Sequence, residues 1–218
     1  RMGRQVSTTA AATMAHHFTY FPDTVPSPVS GLSSSASSIV LASGETARMN
    51  MFQAINQALD IALGSDPMAV VFGEDVAFGG VFRCTIGLRD KYGAERVFNT
   101  PICEQAIAGF GIGLAAAGGT AILEIQFADY IWPALNQLVE ELSKSCYLTM
   151  GKFPIPALIR VPIGAYGGGG PYHSGSIEST LLPLRGINVV YPGNAADRNG
   201  RDAAPVLVPT PAVVRGRQ

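Results

Sequence analysis

Charge and cysteine are both scarce in this 218-residue sequence. Only 14% of the residues are charged, and 15 Lys and Arg nearly balance 16 Asp and Glu, which leaves no basic footprint for nucleic acid. The three cysteines, Cys84, Cys103 and Cys146, are odd in number and widely spaced, with no CxxC pair. That pattern excludes a disulfide framework and a zinc module of the Cys/His type, and it fits a reducing compartment. Glu, Gln, Asp or Gly interrupts every apolar run before the roughly 20 residues that a membrane-spanning helix needs. G-x-G-x-x-G, G-K-[ST] and G-x-S-x-G are missing as well, which removes the glycine-rich phosphate loops and the nucleophile elbow.

What remains is a chain with 47% apolar residues, long enough for one domain with a full core and an appendage. So little charge also leaves apolar surface for a partner subunit, since obligate interfaces resemble a core cut in half.

Composition divides the chain into three. Residues 1–47 are rich in Ser, Thr and Ala, carry Arg1 and Arg4, and hold only Asp23 and Glu45 as acids. This is the composition of an organellar transit peptide followed by an arm, or of a plain disordered tail. From 48 to about 200 apolar periodicity takes over. Met49, Phe52, Ile55, Leu59 and Ala62 predict a helix. Met68–Phe72 predicts a buried strand that ends in Gly73-Glu74-Asp75. Helices at Thr85–Tyr92 and Glu104–Ala117 then alternate with strands at Arg96–Asn99 and Ala121–Phe127. A further helix carries Ile131, Leu135, Leu138, Val139, Leu142 and Cys146 on one face, and strands follow at Ala157–Val161 and Ile187–Tyr191. The expectation is an α/β fold with a mostly parallel sheet and helices on both faces. Residues 201–218 read as an irregular tail with no terminal helix.

In such sheets ligands collect at the carboxyl ends of the strands. The search therefore narrows to Gly73–Gly80, Thr100–Gln105, Gln126–Tyr130 and Gly164–Ser174. Glu104 lies in the first turn of its helix, where the dipole favours a carboxylate; it is either a simple helix-start acid or an acid whose pKa Ile102 and Phe110 raise by desolvation so that it exchanges a proton. Gly109, Gly111, Gly113 and Ala115–Ala117 cost helix propensity and imply that another backbone comes close. Tyr130 is either a core aromatic or a flat face for a heteroaromatic ring, with Asp129 as a helix cap. His173, after the glycine-rich loop, is either a surface residue or a proton carrier, since imidazole titrates near neutrality. Glu74 and Asp75 are adjacent, point to opposite faces of an extended segment, and so brace the turn without forming a carboxylate pair.

The runs MNMFQAINQALDIAL, VVFGEDVAFGGVFRCTIGLRDKYG, RVFNTPICEQAIAGFGIGLAAAGGTAILEIQFADYIWPALNQLVEE and YHSGSIESTLLPLRGINVVYP closely resemble the β subunits of the thiamine-diphosphate-dependent branched-chain 2-oxoacid dehydrogenases. The resemblance covers most of residues 16–195. It implies a thiamine-diphosphate pyrimidine-binding domain within a mitochondrial-matrix α2β2 enzyme. There an α subunit holds the diphosphate and Mg2+, and the β subunit grips the aminopyrimidine. By motif position it makes Glu104 the acid on the ring nitrogen, Tyr130 the stacking aromatic, and Gln126 and Ile102 neighbours of the cofactor. His173 becomes the histidine that assists transfer to a lipoyl acyltransferase core, and backbone carbonyls of Ile155, Ala157 and Leu158 become ligands of K+. The resemblance also implies departures: a helical stretch missing between Gly200 and Arg201, a Gly167–Gly170 run in place of a less glycine-rich loop, and a C-terminal domain missing after Gln218.

Overall fold

Asn50 starts the first long helix with a reciprocal cap. Its side-chain oxygen accepts from the Gln53 N–H at 3.2 Å, and the Gln53 side chain accepts from the Asn50 N–H at 3.0 Å, so two donors that a helix start leaves orphaned are satisfied. The computed structural model describes residues 50–152, 155–164 and 168–191, together with the backbone of short strands at 38–40, 46–48 and 215–216. Those first two strands, β1 (Ser38–Val40) and β2 (Thr46–Arg48), pair antiparallel. The capped helix, α1, spans Met51–Ser65. Arg96 closes its far end by donating to the carbonyls of Leu63, Asp66 and Ala69 at 2.8, 2.6 and 3.0 Å, an arginine's usual service to terminal carbonyls.

Four strands build the central sheet: β3 (Ala69–Gly73), β4 (Val97–Asn99), β5 (Thr120–Glu124) and β6 (Ala157–Arg160). Their spatial order is β4-β3-β5-β6 and every pairing is parallel. Between them run α2 (Leu88–Tyr92), α3 (Glu104–Ala116), and a π-helical turn Gln137–Leu142 that continues into α4 (Ser143–Leu148). A short helix, α5 (Glu178–Leu181), and β7 (Ile187–Asn188), paired antiparallel with β8 (Arg215–Gly216), follow.

The strands are buried on both faces, as a parallel sheet between helical layers must be. Val71, Ile122 and Leu158, which stand in register, pack toward Ile55, Leu59 and Leu63 of α1. Their successors Phe72, Leu123 and Ile159 pack on the opposite side, with Ile107 and Ile112 of α3 and with Leu138 and Leu142. Each such buried side chain contributes about 2 kcal/mol.

Several expected boundaries move. The helix expected over Thr85–Tyr92 starts only at Leu88, because the Thr85 hydroxyl donates to the Val76 carbonyl at 2.7 Å and Gly87 sits at φ +75°. The strands expected at Ala121–Phe127, Ala157–Val161 and Ile187–Tyr191 end at Glu124, Arg160 and Asn188. The α1 face is rotated: Ala54 and Leu63 are buried, Phe52 is exposed, and Met49 lies outside the described residues. Apart from β1, β2 and β8, the leader and tail read at 1–47 and 201–218 lie outside them too, as does the gap read between Gly200 and Arg201. Among the described residues no helix is long and apolar enough to cross a membrane.

Candidate functional site

Because β3, β4, β5 and β6 run parallel, the segments after all four emerge at one edge. In chain order β4 lies on one side of β3 and β5 on the other. The connections therefore diverge, and a crevice opens between the β3 and β5 loops, where doubly wound sheets hold ligands. Two of the sequence-derived segments meet there. The Gln126 side-chain amide donates to Asp75 Oδ2 at 2.8 Å across that crevice. Asp75 itself is held at φ 57°, a left-handed conformation that turns the chain out of β3.

Next to Asp75 lies Glu74, only 6% exposed. Its neighbour is the Glu104 carboxyl at the start of α3, which acts on it by charge and by a side-chain hydrogen bond. Burial first, then the Glu104 charge and that hydrogen bond, then Asp75, push Glu74 up to about 7. Its Oε1 has no hydrogen-bond partner among the described residues.

The expected apolar wall around Glu104 is not there. Ile102 is 85% exposed, and Phe110, 50% exposed, turns its ring edge to face with Phe72 and Phe98. Burial bears on Glu74. Asp75 braces the turn as expected, whereas Glu74 does enter a carboxylate pair, with an acid 30 positions away that no local pattern reveals.

On the β5–β6 side, the Tyr130 hydroxyl and His173 Nε2 lie 2.9 Å apart. Phe127 meets both rings edge to face, with centroids 5.6 Å from Tyr130 and 4.7 Å from His173. The loop histidine is therefore attached to the aromatic turn, although it remains exposed. Asp129 makes no cap bond, contrary to its expected role; its Oδ2 accepts from the Gly175 N–H at 3.0 Å. A cavity of about 590 Å³ adjoins this cluster, with Phe127, Asp129, His173, Cys84 and Arg160 among its walls. Glu104, Gln126 and Tyr130 are not among them.

Beneath the edge, Arg160 is ion-paired with Glu124, its register partner, and its Nη2 donates to Cys84 Sγ at 2.9 Å. Arg160 and Glu124 are both buried, so the pair ties β6 to β5 just below the loops.

Ile155, Ala157 and Leu158 are not brought to this edge. They lie at the opposite, amino end of β6, buried, with the Ile155 carbonyl accepting from the Ala157 N–H at 2.9 Å. Among the described residues no group of three or more His, Cys, Asp or Glu is placed to hold a metal ion.

The profile described as "Transketolase, pyrimidine binding domain" matches residues 47–216. The chain belongs to this family. It is 57% identical to a protein of Dictyostelium discoideum named 2-oxoisovalerate dehydrogenase subunit beta, mitochondrial, over 78% of this chain and 46% of that one. An Arabidopsis thaliana protein named 2-oxoisovalerate dehydrogenase subunit beta 2, mitochondrial, is 54% identical over 76% of this chain and 46% of its own length. A Pseudomonas aeruginosa protein named 2-oxoisovalerate dehydrogenase subunit beta is 46% identical over 70% and 44%. The chain thus spans about half the length of the curated relatives it matches.

Proposed function

We propose that this pyrimidine-binding domain acts as the cofactor-gripping part of a branched-chain 2-oxoacid dehydrogenase β subunit. The observation that carries the reading is the placement of Glu104 beside Glu74 at the carboxyl edge of the sheet, the same edge to which the loops bring Tyr130 and His173. Those groups fit an aminopyrimidine: a carboxyl group for a ring nitrogen, a fixed amide, an aromatic face, and exposed apolar surface from Ile102 and Phe110 for a flat ring. When bound, thiamine diphosphate supplies the electron sink for decarboxylation of the 2-oxoacid and carries the acyl group toward a lipoyl acceptor.

This chain's own residues then take defined parts. Glu104 holds or gives up a proton at the ring nitrogen, and Glu74 beside it, with its pKa raised to about 7, can exchange a second proton. Gln126, fixed by Asp75, supplies a donor or acceptor in a set orientation. Tyr130 offers its ring face, and its hydroxyl keeps the His173 imidazole at the mouth, where it can donate or accept a proton during transfer to lipoyl. An α subunit in an α2β2 assembly supplies the diphosphate and Mg2+ site, and a lipoyl acyltransferase core is the acceptor. Potassium at the Ile155, Ala157 and Leu158 carbonyls would brace β6; the Ile155 carbonyl already bonded to Ala157 gives that site little support, and no step depends on it. The word mitochondrial in the names of the Dictyostelium and Arabidopsis relatives supports a mitochondrial location, within which we place the chain in the matrix.

Thiamine diphosphate affinity of the chain copurified with a cognate α subunit tests the reading. Tyr130→Ala is expected to weaken binding by roughly tenfold or more, the loss of about 1.4 kcal/mol of ring contact. An unchanged affinity assigns Tyr130 to the core alone.

A further inference from the structure

His173 is an exposed residue on a loop, and such residues are not usually held to one orientation by packing. Here the loop is tied on both sides of the ring. Upstream, the 3-10 turn Gly170–Tyr172 ends with the His173 N–H donating to the Gly170 carbonyl at 3.3 Å. Downstream, the Gly175 N–H is taken by Asp129 Oδ2 at 3.0 Å, and the Gly175 carbonyl accepts from the Gly164 N–H at 3.1 Å. Asp129 lies so close to Gly175 that a Cβ there would stand 2.4 Å from its Oδ1. The same short turn, Ala128–Tyr130, carries Asp129 and the Tyr130 hydroxyl that meets His173 Nε2, and the Ala128 N–H anchors that turn to the Pro162 carbonyl at 2.9 Å.

We infer that Asp129 is a positioning residue: by accepting the Gly175 N–H it fixes the loop at the spacing that lets the His173 imidazole meet the Tyr130 hydroxyl. One turn thereby supplies both the partner of the ring and the clamp on its backbone. The inference rests on the reading of His173 as a site residue. Asp129 touches neither the cofactor nor the substrate in this account, and acts only through His173. Gly175 belongs to the device, since any side chain there displaces the carboxylate.

The test is nitrogen NMR of the full chain labelled at histidine, with His173→Gln identifying the His173 signals and no cofactor added. The wild type is expected to show one preferred imidazole tautomer at His173, and Tyr130→Phe to abolish that preference. Asp129→Ala is expected to abolish it equally. Asp129→Asn, whose amide oxygen still accepts from Gly175, is expected to restore it, and Gly175→Ala to lose it with Asp129 intact. Amide spectra of Asp129→Asn and Gly175→Ala that match the wild type away from these loops separate the effect from misfolding. A preference that survives Asp129→Ala and Gly175→Ala but not Tyr130→Phe overturns the inference, as does one that Tyr130→Phe leaves untouched. Because no cofactor is present, a failed clamp and a failed thiamine reading give distinct results.

Discussion

Glu74 carries a proton cost that the folded chain meets only when the carboxyl is neutral. Its pKa stands at about 7 against an ordinary 4.5, through burial and then Glu104. A carboxyl raised in this way stabilises the fold fully below the unfolded-state pKa, and the contribution disappears as pH climbs through about 7. Urea unfolding of wild type and Glu74→Gln between pH 4.5 and 8 is therefore expected to diverge, the wild type losing about 2 kcal/mol more than the variant over that range. Parallel profiles would remove the proton from Glu74. At this scale the sequence was informative about residue type and position and silent about partners. Glu104, Gln126, Tyr130 and His173 stand out because strand ends and loops can be read from periodicity. Glu74 does not, because Glu104 reaches it through the parallel pairing of β3 with β4 rather than through the next residue, and the left-handed turn at Asp75 leaves no mark in the sequence.

The glycines of α3 divide by what they face. A Cβ at Gly111 would stand 2.4 Å from Leu123 Cδ2 and 3.3 Å from Phe72 Cζ, so the helix approaches the sheet closely there. At Gly109 and Gly113 the same Cβ meets nothing within 4 Å. Gly111→Ala is accordingly expected to destabilise the isolated chain by about 1–3 kcal/mol through overpacking, and Gly113→Ala to stabilise it by up to about 1 kcal/mol through helix propensity. Denaturant midpoints of the two variants decide it: equal shifts of the same sign would contradict this packing. Periodicity exposed the glycine cost but could not tell which glycine touches the sheet. It also found the long helix after Ile131 while missing the π turn at Gln137–Leu142, which keeps the helical direction but shifts the facing residues, and it missed α5, four residues too short to show a period. β3, β5 and β6 were legible as short apolar runs buried on both faces, whereas β4, Val-Phe-Asn, is buried only at Val97.

At the scale of the molecule, one topological fact gathers the chemistry: four parallel strands in the order β4-β3-β5-β6 send every loop of interest to one edge and leave a crevice between the β3 and β5 loops. The alternation of helices and strands predicted the parallel sheet, while the spatial order, and hence the crevice, emerged only in three dimensions. The Glu124–Arg160 pair holds the two strands on the His173 side together beneath it. Ile102 is exposed beside it, and Phe110 is half exposed. The most direct measurement is decarboxylation of 3-methyl-2-oxobutanoate by the chain copurified with a cognate α subunit, with thiamine diphosphate and Mg2+ added and pyruvate as control, for wild type and Glu104→Gln. The account predicts turnover of the branched acid in preference to pyruvate, and a loss of roughly 100-fold or more in Glu104→Gln with the complex intact, the usual worth of a positioned proton-transfer group. An assembled Glu104→Gln complex that turns over as fast as the wild type, or a preference for pyruvate, would contradict it.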